Sequence, residues 1–365
     1  MQTGLMTTFK SSAKTRGAIA WFISALLFAF YILVYFTAIP DSWAESVGLN
    51  GKWSLYGTLY SFAILVGGIY FIKVHGNSRY QKIRTISLIV VQIVFAYSIP
   101  LVMEMFDSKG FIFSLFWPLK LDYLSPKYIL DYPILVMVYA FISSLVVVPI
   151  LTLLYGKRWY CSWVCGCGGL AETAGDPFRH LSDKRVKAWK FEQFSIHTVL
   201  ILALITTALV IINWTVHYEN AAGLWVTEYQ LFDVIASKIQ GVYQFVVVAL
   251  LSGVLGVGLY PLMGTRIWCR FFCPMAALLG IIQKFGRFRI STKKDMCISC
   301  GNCSTYCEMG IDVRAYAQSN QSFRRASCVG CGMCAHVCPR GVLKLENKWD
   351  FRKSDDGRHR QVFDF

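Results

Sequence analysis

Eight of the thirteen cysteines fall into two runs of one design. They are Cys297-x2-Cys300-x2-Cys303-x3-Cys307 and Cys328-x2-Cys331-x2-Cys334-x3-Cys338-Pro339. Three thiolates at x2 spacing can wrap one iron–sulfur cube, and the fourth cysteine of each run reaches the other cube. The pattern therefore predicts two [4Fe–4S] clusters. One is held by Cys297, Cys300, Cys303 and Cys338, the other by Cys328, Cys331, Cys334 and Cys307. Gly301, Gly330 and Gly332 let backbone N–H groups approach the sulfurs. Short x2 spacing also suits zinc knuckles, but two copies of the whole run favour iron and sulfide. Glu308 stands after Cys307, where such a run usually carries proline. His336, inside the second run, reads as a surface residue that tunes potential slightly.

Four more cysteines form a repeat. Gly156, Arg158, Cys161 and Cys165 recur in register as Gly264, Arg266, Cys269 and Cys273. On a helix, residues at i and i+4 share a face. Arginine beside a thiol favours the thiolate. Two such pairs facing each other present four thiolates, which suit a metal ion such as copper, a further cluster, or a dithiol–disulfide couple. The sequence leaves these three open. Aromatic neighbours (Trp159, Tyr160, Trp163, Trp268, Phe271, Phe272) would shield the site from water. Cys167 breaks the symmetry and reads as an ordinary thiol. Glu172 and Asp176, in Ala171–Pro177, read as carboxylates of a solvated loop.

The elements that must position these residues are membrane helices. The chain has 365 residues, 55% hydrophobic and only 16% charged. Six apolar stretches are long enough to span a bilayer: Ala18–Ile39, Trp53–Lys73, Ile83–Met103, Tyr132–Tyr155, Phe194–Trp214 and Tyr243–Met263. The first is too long for a signal-peptide core and is expected to remain a span. Lys and Arg concentrate in the N-terminal arm (Lys10, Lys14, Arg16) and in the loops after spans two and four. The alternate loops carry few, so both termini are expected in the cytoplasm, with the protein in the inner membrane. The net charge of +15 follows from this topology and does not indicate nucleic acid. Phe111–Pro118 is apolar but too short to cross, and is expected to lie at the interface or re-enter. The expected organisation is an arm (1–17), a six-span domain (18–289), an α+β two-cluster ferredoxin-like module (290–347) and a charged tail (348–365).

Both copies of the repeat begin at the end of a span, with two spans between them, so both face the same side. His197 and His217 flank span five and read as interfacial side chains, not haem ligands. No nucleotide-binding glycine loop and no constellation for hydrolysis or group transfer appears.

The paired Cys-x3-Cys motifs on spans, followed by the two-run ferredoxin segment, resemble the membrane polyferredoxins. These include NapH-type components of periplasmic nitrate reduction, the membrane part of NosR-type proteins and the FixG/CcoG-type oxidase accessory proteins. The resemblance covers roughly Val136 to Leu345. Such proteins typically carry proline after each pair. Pro274 follows Cys273, whereas Gly166 and Cys167 follow Cys165. The resemblance implies an electron-transfer subunit working between a quinol or cytoplasmic donor and a membrane or periplasmic acceptor, with redox partner proteins. Its oxidase-accessory branch implies an alternative, a copper-handling, cupric-reducing assembly factor.

Overall fold

In the computed structural model, residues 17–49, 51–106, 110–221 and 229–348 are described, side chains in 126–127 and 216–231 excepted. The arm's Lys10, Lys14 and Arg16, Lys109, the side chain of His217 and residues 349–365 of the tail lie outside them. Among the described residues, six helices are long and apolar enough to cross a membrane: Ala18–Phe36, Lys52–His75, Arg79–Met105, Ile134–Tyr155, Val186–Thr215 and Phe232–Gly258. They are called spans one to six here. Their outward faces are apolar, with Phe22, Phe62, Leu135 and Ile201 exposed. That is the inverse of a water-soluble surface and the expected face toward lipid. The chain is a multi-pass membrane protein.

Small residues let the spans approach closely. A Cβ on Gly68 of span two would meet the Ile89 side chain of span three at 2.6 Å. Span one rests on span six, where Ser24 Oγ donates to the Gly258 carbonyl at 2.5 Å and Gly258 faces Phe28. Such packing by glycine replaces the hydrophobic drive that lipid removes.

Two spans differ from their sequence outlines. Span five begins at Val186, eight residues before Phe194, because Glu192 is buried against Arg270 and does not face water. Span six begins at Phe232 and ends at Gly258. The turn Tyr260–Met263 is separate, since Pro261 lacks the N–H a continuous helix needs. Spans three, four and six each contain wide-turn π segments, at Gln92–Ser98, Ser143–Val147 and Gln244–Leu255.

Phe111–Pro118 re-enters. The Trp117 N–H donates to Ser144 Oγ at 3.2 Å and its indole donates to Thr207 Oγ1 at 3.0 Å, both within spans. Tyr160 Oη donates to the Ser114 carbonyl. Phe111 and Phe116 are buried. Irregular backbone at membrane depth is tolerated here because protein covers it.

After helix Pro274–Phe285 the chain forms β1 (Phe288–Thr292), which pairs antiparallel with β2 (Leu343–Asn347), Ile290 opposite Leu345. The two cysteine runs lie between these strands. The ferredoxin segment docks on the ends of the spans. Tyr80 Oη donates to Gly330 O at 2.9 Å, Gln81 Nε2 to Cys331 O at 3.0 Å and Lys157 Nζ to Ala326 O at 2.8 Å.

Candidate redox site

The structure surrounds two cavities with the eight cysteines of the two runs. One is lined by Cys297, Cys300, Cys303 and Cys338. The other is lined by Cys307, Cys328, Cys331 and Cys334. Each run gives three residues to one cavity and one to the other. The local fold repeats as well. Gly301 and Gly332 sit in the left-handed region (φ 81° and 76°) and start the short turns carrying Cys303 and Cys334. A side chain is disfavoured at that φ.

The cavities differ in depth. Cys300 is exposed, and the first cavity opens outward. The second lies against the spans, where Arg84 Nη1 donates to the Cys331 carbonyl at 3.1 Å and Ser162 Oγ lies 3.0 Å from the Val329 carbonyl. Backbone N–H groups aim at several sulfurs, as Val342 N does at Cys338 Sγ (3.4 Å). Among the described residues, no three Cys, His, Asp or Glu side chains converge closely enough to hold a single metal ion. The thiols ring a space instead of meeting at a point. Soft ligands around such a volume fit an iron–sulfur cube.

Cys161, Cys165, Cys269 and Cys273 are buried together in one core with Tyr160, Phe116 and Trp268. The spans hold both pairs at one end of the bundle. Gly156 and Gly264, each in positive φ (73° and 95°), stop the preceding helix and turn the chain into the motif. The pairs do not lie on one helical face. Cys161 ends the turn Arg158–Cys161 and Cys165 precedes Gly166–Glu172. Cys269 lies in Trp268–Phe272, and Cys273 caps Pro274–Phe285, accepting from the Ala276 N–H at 3.4 Å. Each pair therefore straddles a break between two short helices. Burial pushes the Cys161 thiol up to about 12. The Cys167 thiol hydrogen-bonds Cys165 and brings that thiol down to about 6. Cys167 thus lies beside the four thiols.

The two arginines of the repeat diverge. Arg266 is buried, donates to the Cys161 carbonyl at 3.2 Å and lies 3.7 Å from Cys269 Sγ. Arg158 instead turns away, with its guanidinium 4.9 Å from the Phe288 ring centroid and Nε donating to the Tyr155 carbonyl. The buried cation of the first copy is Lys157, which donates to the Ala276 and Ala326 carbonyls.

Glu172 is not in a solvated loop. It is 2% exposed and sits between two arginines, with Oε2 2.5 Å from Arg84 Nη1 and Oε1 in contact with Arg266 Nη2. Arg266 also pairs with Glu308 at 3.1 Å, and Glu308 with Arg179 at 3.2 Å. Asp176 joins Arg179 to His75, whose ring meets that of His336. Burial pushes Glu308 up, but Arg179, Arg266 and Arg84 outweigh it and hold its carboxyl at about 2. Buried charges on this scale persist only when paired. Glu308, which replaces the usual proline, is an anchor of the ferredoxin segment to the membrane domain. The partners lie far apart in sequence, so no local pattern announced them. His197 keeps a local bond to the Gln193 carbonyl, at the rim of a separate cavity.

Comparison with known proteins finds iron–sulfur families over the same segments. The family described as 4Fe-4S binding domain matches residues 137–187 and again 245–293, one match over each Cys-x3-Cys pair. The family described as 4Fe-4S dicluster domain matches residues 296–343. YccM of Escherichia coli K12, named for electron transport, is 29% identical over 179 residues, 48% of this chain and 48% of YccM. MauN of Methylobacillus flagellatus, a methylamine utilization ferredoxin-type protein, is 27% identical over 158 residues, 42% of this chain and 49% of MauN. Protein NirI of Paracoccus denitrificans is 27% identical over 163 residues, 43% of this chain and 22% of NirI. The chain matches about half the length of most of these relatives. No solved structure matches it. The chain carries 4Fe–4S ferredoxin-type domains beside six apolar helices among the described residues, and in these segments it is similar to membrane polyferredoxin-like proteins.

Proposed function

We propose that this protein is the electron-transfer subunit of a membrane oxidoreductase system, working between a cytoplasmic or quinol donor and an acceptor in the membrane or periplasm. One observation carries the reading. Cysteines line two cavities of the ferredoxin segment, and four more are buried in the core at the ends of the spans. Cys297, Cys300, Cys303 and Cys338 would hold one [4Fe–4S] cluster, and Cys307, Cys328, Cys331 and Cys334 the second. Cys161, Cys165, Cys269 and Cys273 would hold a third. When bound, such groups supply one-electron oxidation and reduction at potentials set by burial and hydrogen bonds to sulfur. The residues of the chain do the rest. Backbone N–H groups brace the sulfurs, and aromatic side chains such as Phe116 and Trp268 keep water from the inner site.

The excess of Lys and Arg in the loops after spans two and four supports cytoplasmic termini in an inner membrane. Arg84, Lys157 and Arg179, in those loops or at the span ends beside them, are buried and bonded, but Lys73, Arg79, Lys82, Lys184, Lys187 and Lys190, placed likewise, keep the bias. Copper handling is the competing reading for the four buried thiols. Metal analysis of the variant with Cys161, Cys165, Cys269 and Cys273 all replaced by Ser separates the two. The electron-transfer reading expects a loss of about four irons with the other clusters intact. Loss of copper with iron unchanged would favour the assembly factor.

A further inference from the structure

The buried ion-pair network occupies the space between two redox sites, and the electron-transfer reading does not use it. Arg266 joins the four-thiol site to Glu172, through Cys161 O and Cys269 Sγ on one side. Arg84 joins Glu172 to the Cys331 carbonyl on the other. We propose that Glu172 is a redox-linked proton acceptor, which takes up one proton when an electron enters the adjoining cysteine sites.

The Ser162 hydroxyl can serve both protonation states of Glu172. Its oxygen lies 2.9 Å from Glu172 Oε1 and 3.0 Å from the Val329 carbonyl. A hydroxyl has one proton to give and two lone pairs to accept with. With Glu172 ionised, Ser162 donates to the carboxylate. With Glu172 protonated at Oε1, the carboxyl donates to Ser162 Oγ and the serine proton turns to Val329 O. Both protonation states are satisfied without moving a heavy atom. Few buried carboxylates are so placed, because an unmet donor at such depth is costly.

Charge gives the driving force. The groups facing Glu172 are Arg84 from span three, Arg266 from the loop after span six, and Arg179, itself paired with Asp176, from the turn Asp176–Leu181. His75 of span two stands behind Asp176, and Glu308 and Cys331 face it from the ferredoxin segment. Arg84, Arg179 and Arg266 balance Glu172, Glu308 and Asp176. An added electron leaves this buried region with an uncompensated negative charge, which low dielectric makes expensive. Of the two glutamates, Glu308 is held low by its arginines, whereas burial raises Glu172 above the ordinary carboxylate range despite Arg84. Glu172 is therefore the group that accepts. The balance is one electron from a one-electron reductant and one proton from water, forming one O–H bond at Glu172.

The inference rests on the cluster assignment above, so iron content is measured on the same sample. Clusters absent would count against that assignment, and clusters present with a flat pH response against this one. The test is a redox titration of the purified, cluster-loaded protein at several pH values, followed by electron paramagnetic resonance. Reduction raises the Glu172 pKa. Between its values in the oxidised and reduced protein, each tenfold fall in proton concentration lowers the midpoint potential by about 59 mV for one electron. Outside that window the potential is flat. Redox-difference infrared spectra of the same protein should show a carboxylic C=O band appearing on reduction and shifting in deuterium oxide. Glu172→Gln should abolish both slope and band. A pH-independent wild-type potential without the band, or a slope kept in Glu172→Gln, overturns the proposal. Should Glu172→Gln fail to assemble, Ser162→Ala replaces it. The hydroxyl bonds the charged carboxylate more strongly than the neutral acid, so its loss should move the window to higher pH, and an unmoved window counts against the proposal.

Discussion

Arg266 and Arg158 occupy matching places in the repeat, yet only Arg266 reaches the thiols and the buried glutamates. Arg266→Ala leaves Glu172 with Arg84 alone and Glu308 with Arg179 alone, each short of one cation in a dry interior. We expect it to cost about 3–5 kcal/mol and to strip metal from the four-thiol site. Arg158→Ala removes a surface cation–π contact worth about 0.5–1 kcal/mol and should leave metal content unchanged. Thermal unfolding in detergent with parallel metal analysis reads both. Gly168 is a second sensitive position, since a Cβ there would lie 2.0 Å from the Cys161 carbonyl. Backbone cannot rotate away as a side chain can, so Gly168→Ala should cost about 1–3 kcal/mol. Its metal loss should be confined to the four-thiol site, leaving the ferredoxin signals intact. The sequence paired the two arginines because register is all that a repeat displays. It could not show that position 157 holds the buried cation in one copy while position 266 does so in the other.

Element by element, apolar run length revealed six spans, because about 20 apolar residues have few other uses. It missed where span five begins. Lys187, Lys190 and Glu192 look like the end of a membrane segment, yet Glu192 points inward to Arg270 Nε at 2.7 Å and contacts Ser327 of the ferredoxin segment. Hydropathy reads a residue without its partner. Replacing Arg270 by Ala should destabilise the docking by about 3–5 kcal/mol, while Arg270→Met with Glu192→Met should recover much of that loss. Limited proteolysis of the ferredoxin segment, scored beside melting temperature, measures it. The helix break inside each cysteine pair was equally hidden. An x3 spacing fits one helical turn, and only the packing of Cys165 and Cys273 as leads into the next helices shows otherwise.

Across the whole molecule, the ferredoxin segment is welded to the spans through Tyr80, Gln81, Arg84, Lys157 and Glu308 and does not hang from a linker. The cysteine spacing alone exposed the redox chemistry, since few other functions need eight thiols in two such runs. The docking was not legible, because its contacts join residues more than 100 positions apart, as Arg179 to Glu308 does. A reporter active only in the cytoplasm, fused after Phe365, should be active, and one active only in the periplasm should be silent. Iron and acid-labile sulfide determination on anaerobically purified protein tests whether thiolates of this chain grip iron–sulfur cubes beside the lipid. We expect brown protein carrying at least about eight irons with matching sulfide. Colourless protein without sulfide, or zinc bound by the cysteines of the two runs, would contradict it.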